Sequence, residues 1–142
     1  MTLAFWDSSA FVKLLVDEAG SEVAERLWND PSPTAASRLV VPEVSAALAA
    51  ARRAGRLDQA SHDAALHEWD RYRWEVDFFE LTSAIASHAA DIAVTHPLSG
   101  ADAVHLATAL ALEQNDMVIA TWERRLSSAA AAEGLVVVPS DV

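Results

Sequence analysis

The chain contains no cysteine, only four glycines, and ten lysines and arginines against 21 aspartates and glutamates among its 142 residues. Without cysteine there is no disulfide, no thiolate nucleophile and no cysteine zinc site, and the composition suits a reducing compartment. Scarce glycine together with 52% hydrophobic residues argues for a compact, largely helical protein rather than a disordered chain or a sandwich. No apolar run approaches the roughly 20 residues that span a bilayer, and Met1 to Trp6 is too short for a signal peptide, so a cytoplasmic protein with no membrane partner is expected. The net charge of −11 disfavours broad adhesion to nucleic acid, which rests on lysine and arginine. An acidic protein binds phosphate locally, where metal ions bridge its carboxylates and a few arginines line the approach. The length suits a single domain, residues 1–142.

What is present is an alternation of short apolar runs with helical patterns. Leu3 to Trp6 reads as a buried strand that delivers Asp7 into a helix-opening turn, with Phe11, Leu14 and Leu15 on the helix behind it. Ser21 is expected to cap a helix ending near Trp28, which Pro31 and Pro33 stop. Thr34 to Ala36 has the length of a short strand. Ser37 is expected to cap a helix from Arg38 to about Ala54, closed by Gly55, with Pro42 and Glu43 in its first turns. Asp58 opens an amphipathic helix to about Val76, in which His62 and His67 read as surface or rim residues, too poorly aligned to form a metal pair. Asp77 to Leu81 alternates as a strand, and Thr82 or Ser83 caps a helix to about Thr95. A helix from Asp102 to about Glu113, a strand at Met117 to Ala120, a helix from Arg124 to Glu133, a turn at Gly134 and a strand at Leu135 to Val138 complete the chain. The expected fold is α/β, a central and mainly parallel sheet between helical layers.

Asp7 and Glu123 each follow a strand directly, Glu43 lies in the first turns after another, and Asp102 opens a helix after a glycine turn. Right-handed crossovers place strand ends of this kind on one edge of the sheet, so the four carboxylates are expected to converge. Each has a plain alternative: Asp7 as a helix cap, Asp102 and Glu123 as acids favoured at helix amino termini, Glu43 as a rim charge. Convergence is harder to explain as stability, because like charges about 4 Å apart repel by roughly 4 kcal/mol at an effective dielectric of 20. Such a set calls for a cation, and oxygen-only ligands favour Mg2+ or Mn2+ over zinc.

Four stretches in order, Asp7-Ser8-Ser9-Ala10, Pro42-Glu43-Val44, Gly100 to Ala107 and Thr121-Trp122-Glu123-Arg124-Arg125-Leu126, resemble a PIN domain of the VapC toxin type over essentially the whole chain. The resemblance implies a three-layer α/β/α PIN-like fold and a metal-dependent endoribonuclease, with Asp7, Glu43, Asp102 and Glu123 as the catalytic and metal-binding acids. It also implies a homodimer, an RNA substrate and neutralisation by a cognate VapB-type antitoxin. Glu123 departs from the pattern, since the family usually carries Asp there. Ser9 and Thr121 resemble the family's hydroxyls that hydrogen-bond the acids, although Ser9 reads equally as a turn cap. His105 shares a helix face with Asp102, either supporting the acids or packed against a backbone carbonyl. Lys13, Arg38, Arg124 and Arg125 are candidate phosphate contacts, each also readable as an ordinary solvated charge.

Phosphatases of the haloacid-dehalogenase type need a second Asp where Ser9 stands, and a receiver domain needs an acidic pair ending its first strand and a late lysine. The remaining alternative is a PIN-fold protein with weakened catalysis that binds RNA or a partner.

Overall fold

Alternation along the apolar tetrapeptides produces a sheet that is buried on both faces. In the computed structural model, which describes residues 2–142, the strands are β1 (Leu3–Trp6), β2 (Thr34–Ser37), β3 (Val76–Phe79), β4 (Met117–Ala120) and β5 (Val136–Val138). All are parallel, in the order β3-β2-β1-β4-β5. Ala4 and Trp6 of β1 point into one core and Leu3 and Phe5 into the other, the two-residue period of a strand covered on both sides.

Helices α1 (Ser8–Leu15), α2 (Ser21–Asn29), α3 (Val40–Arg53) and α4 (Gln59–Tyr72) cover the first face. Helices α5 (Ser83–Thr95), α6 (Gly100–Ala111) and α7 (Arg124–Ala132) cover the second. The first core is aromatic: Phe11 stands 5.1 Å from Trp6 and 4.9 Å from Trp69, ring centre to ring centre, and Trp28 bridges Trp6 to Tyr72. The second is built from small and branched aliphatics, with Ala103, Leu106 and Ala107 of α6 against Ile119 and Phe5. Among the described residues no helix is long and apolar enough to cross a membrane.

Several expected boundaries move. Ser21 is not a cap: Gly20 holds that place at φ 97°, while the Ser21 hydroxyl donates to the Val16 carbonyl and accepts from Glu18 N–H, pinning the preceding turn. Ser37 ends β2, and α3 begins at Val40 after a turn in which Ser37 Oγ accepts from Leu39 N–H. The α4 pattern stops at Tyr72, one 3₁₀ turn (Arg73–Glu75) follows, and β3 starts at Val76 because pairing with Thr34 claims it. His62 is buried and neither ring nitrogen is hydrogen-bonded, Nδ1 lying 3.7 Å from Asp63 Oδ1, contrary to a surface placement; it lies on the inward stripe with Ala65 and Trp69.

The strand order reverses its direction of progress between β1 and β4. The connection leaving β1 runs to the first helical layer and the one leaving β4 runs to the second, so a crevice opens outside their carboxyl ends.

Candidate active site

Asp7 leaves β1 and Thr121 leaves β4 at that crevice, their strands in register with Trp6 opposite Ala120. The Asp7 carboxylate is almost completely buried and richly bonded. Oδ1 accepts from Ser9 Oγ at 2.7 Å and from Ala10 N–H at 3.1 Å, and Oδ2 accepts from the Thr121 hydroxyl at 2.7 Å. The cap reading and the site reading therefore coincide in one side chain, because the Ala10 bond is the amino-terminal cap of α1. Burial raises the Asp7 pKa from 3.8 to about 6, against the opposing pull of the Ser9 and Thr121 hydroxyls, His105 and Ala10.

Ser9 and Thr121 extend this framework to the next strand end. Ser9 Oγ also accepts from Trp122 N–H at 2.8 Å, and Thr121 Oγ1 accepts from Glu123 N–H at 3.0 Å. The loop after β4 is thus fastened to the start of α1 through two hydroxyls. The Trp122 indole lies against Gly20, where a Cβ would sit 2.6 Å from Nε1.

Glu43 comes from α3 in one helical layer and His105 from α6 in the other, and they meet with His105 Nε2 2.5 Å from Glu43 Oε1. His105 is fully buried. Burial alone lowers an imidazole pKa, yet the hydrogen bond and charge of Glu43, with the charges of Asp7 and Asp102, outweigh it and raise the net value. The partner is a carboxylate rather than the backbone carbonyl considered from the sequence, and Nδ1 has none. Asp102, half-buried in the first turn of α6 behind the Ser99 cap, is raised by desolvation and by the Glu43 charge, against His105 and Ser99.

Asp7, Glu43 and Asp102 therefore share one electrostatic neighbourhood centred on His105. Glu123 stands at the same edge with its side chain exposed, lining a hollow of about 300 Å³ with Ser8, Ser9, Lys13 and Trp122. Among the described residues, no three acidic or histidine side chains stand close enough to make a ready metal cage. The donor chemistry nevertheless fits a hard divalent ion: the site offers carboxylate oxygens, two of them on acids whose ionised form burial disfavours.

The candidate cations are dispersed. Lys13 is held by Glu18 at 3.1 Å in the hollow beside Glu123. Arg38 is bound to Glu80 at 2.8 Å, and Arg124 and Arg125 are exposed at the start of α7. A glycine in a turn was the one sequence signal for the Trp122–Gly20 contact.

The PIN domain profile matches residues 4–132. Ribonuclease VapC49 of Mycobacterium tuberculosis is 44% identical over 142 residues, covering all of this chain and 99% of the relative. Among solved structures, M. tuberculosis VapC20, described as a sarcin-ricin loop cleaving toxin, superimposes with a TM-score of 0.70 at 21% identity, covering 94% of this chain and 96% of that one. A toxin–antitoxin complex from Klebsiella pneumoniae gives 0.58 at 20% identity, covering 84% and 86%. At those identities the two structures speak for the fold. The family match and the full-length relative go further: this chain belongs to the PIN domain family, as a member of its VapC-type toxins.

Proposed function

We propose that the protein is an endoribonuclease toxin, a single PIN domain that hydrolyses RNA phosphodiester bonds and is neutralised by a cognate VapB-type antitoxin. Its reaction depends on Mg2+ or Mn2+ held by Asp7, Glu43, Asp102 and, through its exposed side chain, Glu123. The observation that carries this reading is a desolvated acidic neighbourhood at the sheet's switch point, in a chain related over its whole length to a ribonuclease. When bound, such an ion offsets the charge on phosphoryl oxygens and lowers the pKa of a water nucleophile.

The chain's own residues do the positioning. Ser9 and Thr121 hold Asp7 in one orientation, so its carboxylate meets an ion without rearrangement. His105 fixes one Glu43 oxygen and leaves the other free. Lys13 and the arginines following the strand ends are the groups available to meet phosphates, and in a chain with ten basic residues each counts.

The test is antitoxin-free protein incubated with total RNA, with Mg2+, with Mn2+ and after exhaustive chelation. Discrete cleavage products that require the ion are expected. Cleavage undiminished by chelation overturns the metal assignment, and no cleavage under any condition overturns the activity.

A further inference from the structure

A second concave feature lies outside the acidic edge. A cavity of about 440 Å³ opens along the β3 edge of the sheet, lined by Arg38, Val41, Arg73, Trp74, Val76 and Phe78. Its chemistry differs from that of the rest of the molecule. Trp74 is 87% exposed, whereas Trp6 and Trp69 are buried and Trp28 and Trp122 partly so. The indole stands in solvent on the 3₁₀ turn Arg73–Glu75 and lines the cavity. Opposite it, the Arg38 guanidinium lies over the Phe78 ring at 4.6 Å from its centre.

Two of the ten cations line this one cavity. The ion pairs that hold them are exposed, Arg38 with Glu80 through Nε and Arg73 with Asp70 at 3.2 Å. Such pairs break at little cost, and the η nitrogens of Arg38 stay out of the pair with Glu80. Planar aromatic surface beside guanidinium groups that can turn outward is the combination that binds single-stranded nucleic acid, where bases stack on rings and cations follow the phosphates. An acidic chain repels a polyanion nearly everywhere else, which makes a local cationic and aromatic hollow more selective. Arg38 also immediately follows β2, the strand next to the one that delivers Asp7, roughly 4.8 Å from strand to strand. A strand of RNA crossing the carboxyl edge would pass it.

We propose that this cavity is a nucleotide subsite for single-stranded RNA: one unpaired base stacks on Trp74, and Arg38 and Arg73 take the neighbouring phosphates. The subsite rests on the ribonuclease reading above and adds where one nucleotide of the substrate is held, along the β3 edge between Arg38 after β2 and Trp74 just before β3.

The experiment measures anisotropy of a fluorescein-labelled single-stranded RNA of about a dozen nucleotides in chelator, so that binding is read without cleavage. Trp74→Ala is expected to weaken binding by about 5- to 100-fold, with Trp74→Phe retaining most of it. Arg38→Gln and Arg73→Gln are each expected to flatten the slope of log affinity against log salt by about 0.7. Melting temperature should barely move for Trp74→Ala, since the side chain is exposed. Equal RNA binding by Trp74→Ala and wild type overturns the subsite, and so does a wild type that binds no RNA. If wild type cleaves RNA while Trp74→Ala binds and cleaves identically, the subsite fails and the activity stands. If RNA binding depends on Trp74 but no divalent ion elicits cleavage, the activity fails and the subsite stands. Loss of antitoxin binding by Trp74→Ala with RNA binding intact would make this a protein-docking surface and overturn the proposal.

Discussion

At the scale of single residues, Asp7 carries two roles that a substitution can separate. Its Oδ1 caps α1, while burial raises its pKa from 3.8 to about 6 in the ion-free protein. A folded-state pKa above the unfolded one lends stability that is complete below about pH 3.8 and is lost as pH rises through about 6. The whole interval corresponds to as much as about 3 kcal/mol. Asn keeps the size and the cap but never ionises, although its amide turns the Thr121 contact around. Asp7→Asn is therefore predicted to gain on wild type between pH 4 and pH 7 in chelator, by about 1–3 kcal/mol, or several degrees of melting temperature. RNA cleavage should fall by orders of magnitude. A melting difference that stays flat across that window would show that Asp7 ionises without penalty, and wild-type cleavage would remove it from the site.

At the scale of elements, what was legible followed from period and position. The strands at Leu3–Trp6 and Met117–Ala120 fall where short apolar runs bounded by turn residues set them, and Thr82 and Asp58 cap α5 and α4 as their spacing suggests. Asp7, Glu43 and Asp102 were legible because each follows a strand or opens a helix on the same edge. Illegible were relations that depend on a distant partner: His105 meeting Glu43 across 62 residues, His62 turned inward, and β3 beginning early because Thr34 pairs with Val76. Gly20 belongs with these. Its φ of 97° and the 2.6 Å separation of a built Cβ from Trp122 Nε1 show that the α1–α2 turn and the loop after β4 fit only around a missing side chain. Gly20→Ala is predicted to cost about 1–3 kcal/mol, by combining backbone strain with a rigid ring that must shift. Because Trp122 N–H is bonded to Ser9 Oγ, the shift should also reach Asp7 and lower activity beyond the loss of folded protein. Thermal melting and specific activity measured on the same folded fraction check this, and a stable, fully active variant would show the loop to be compliant.

At the scale of the whole molecule, charge and topology bear on the same crevice. The parallel sheet brings acids from both helical layers to its switch point, and the chain around them carries a net charge of −11. Any polyanion approaching that edge works against the protein's field, whereas a basic segment is steered toward it. An antitoxin that silences the enzyme at the crevice is therefore predicted to present an arginine or lysine there, since one guanidinium can satisfy two carboxylate oxygens among acids whose ionised form burial disfavours. Steering and docking give different signatures. Raising ionic strength from low to physiological values should slow association by tenfold or more, while replacing the inserted basic residue with methionine should mainly speed dissociation. Stopped-flow association and dissociation rates for toxin and antitoxin, measured across a salt series, separate the two. An association rate indifferent to salt, or an antitoxin that occupies the crevice with no basic side chain, would falsify the electrostatic account and leave apolar surfaces such as that around Trp74 to hold the complex together.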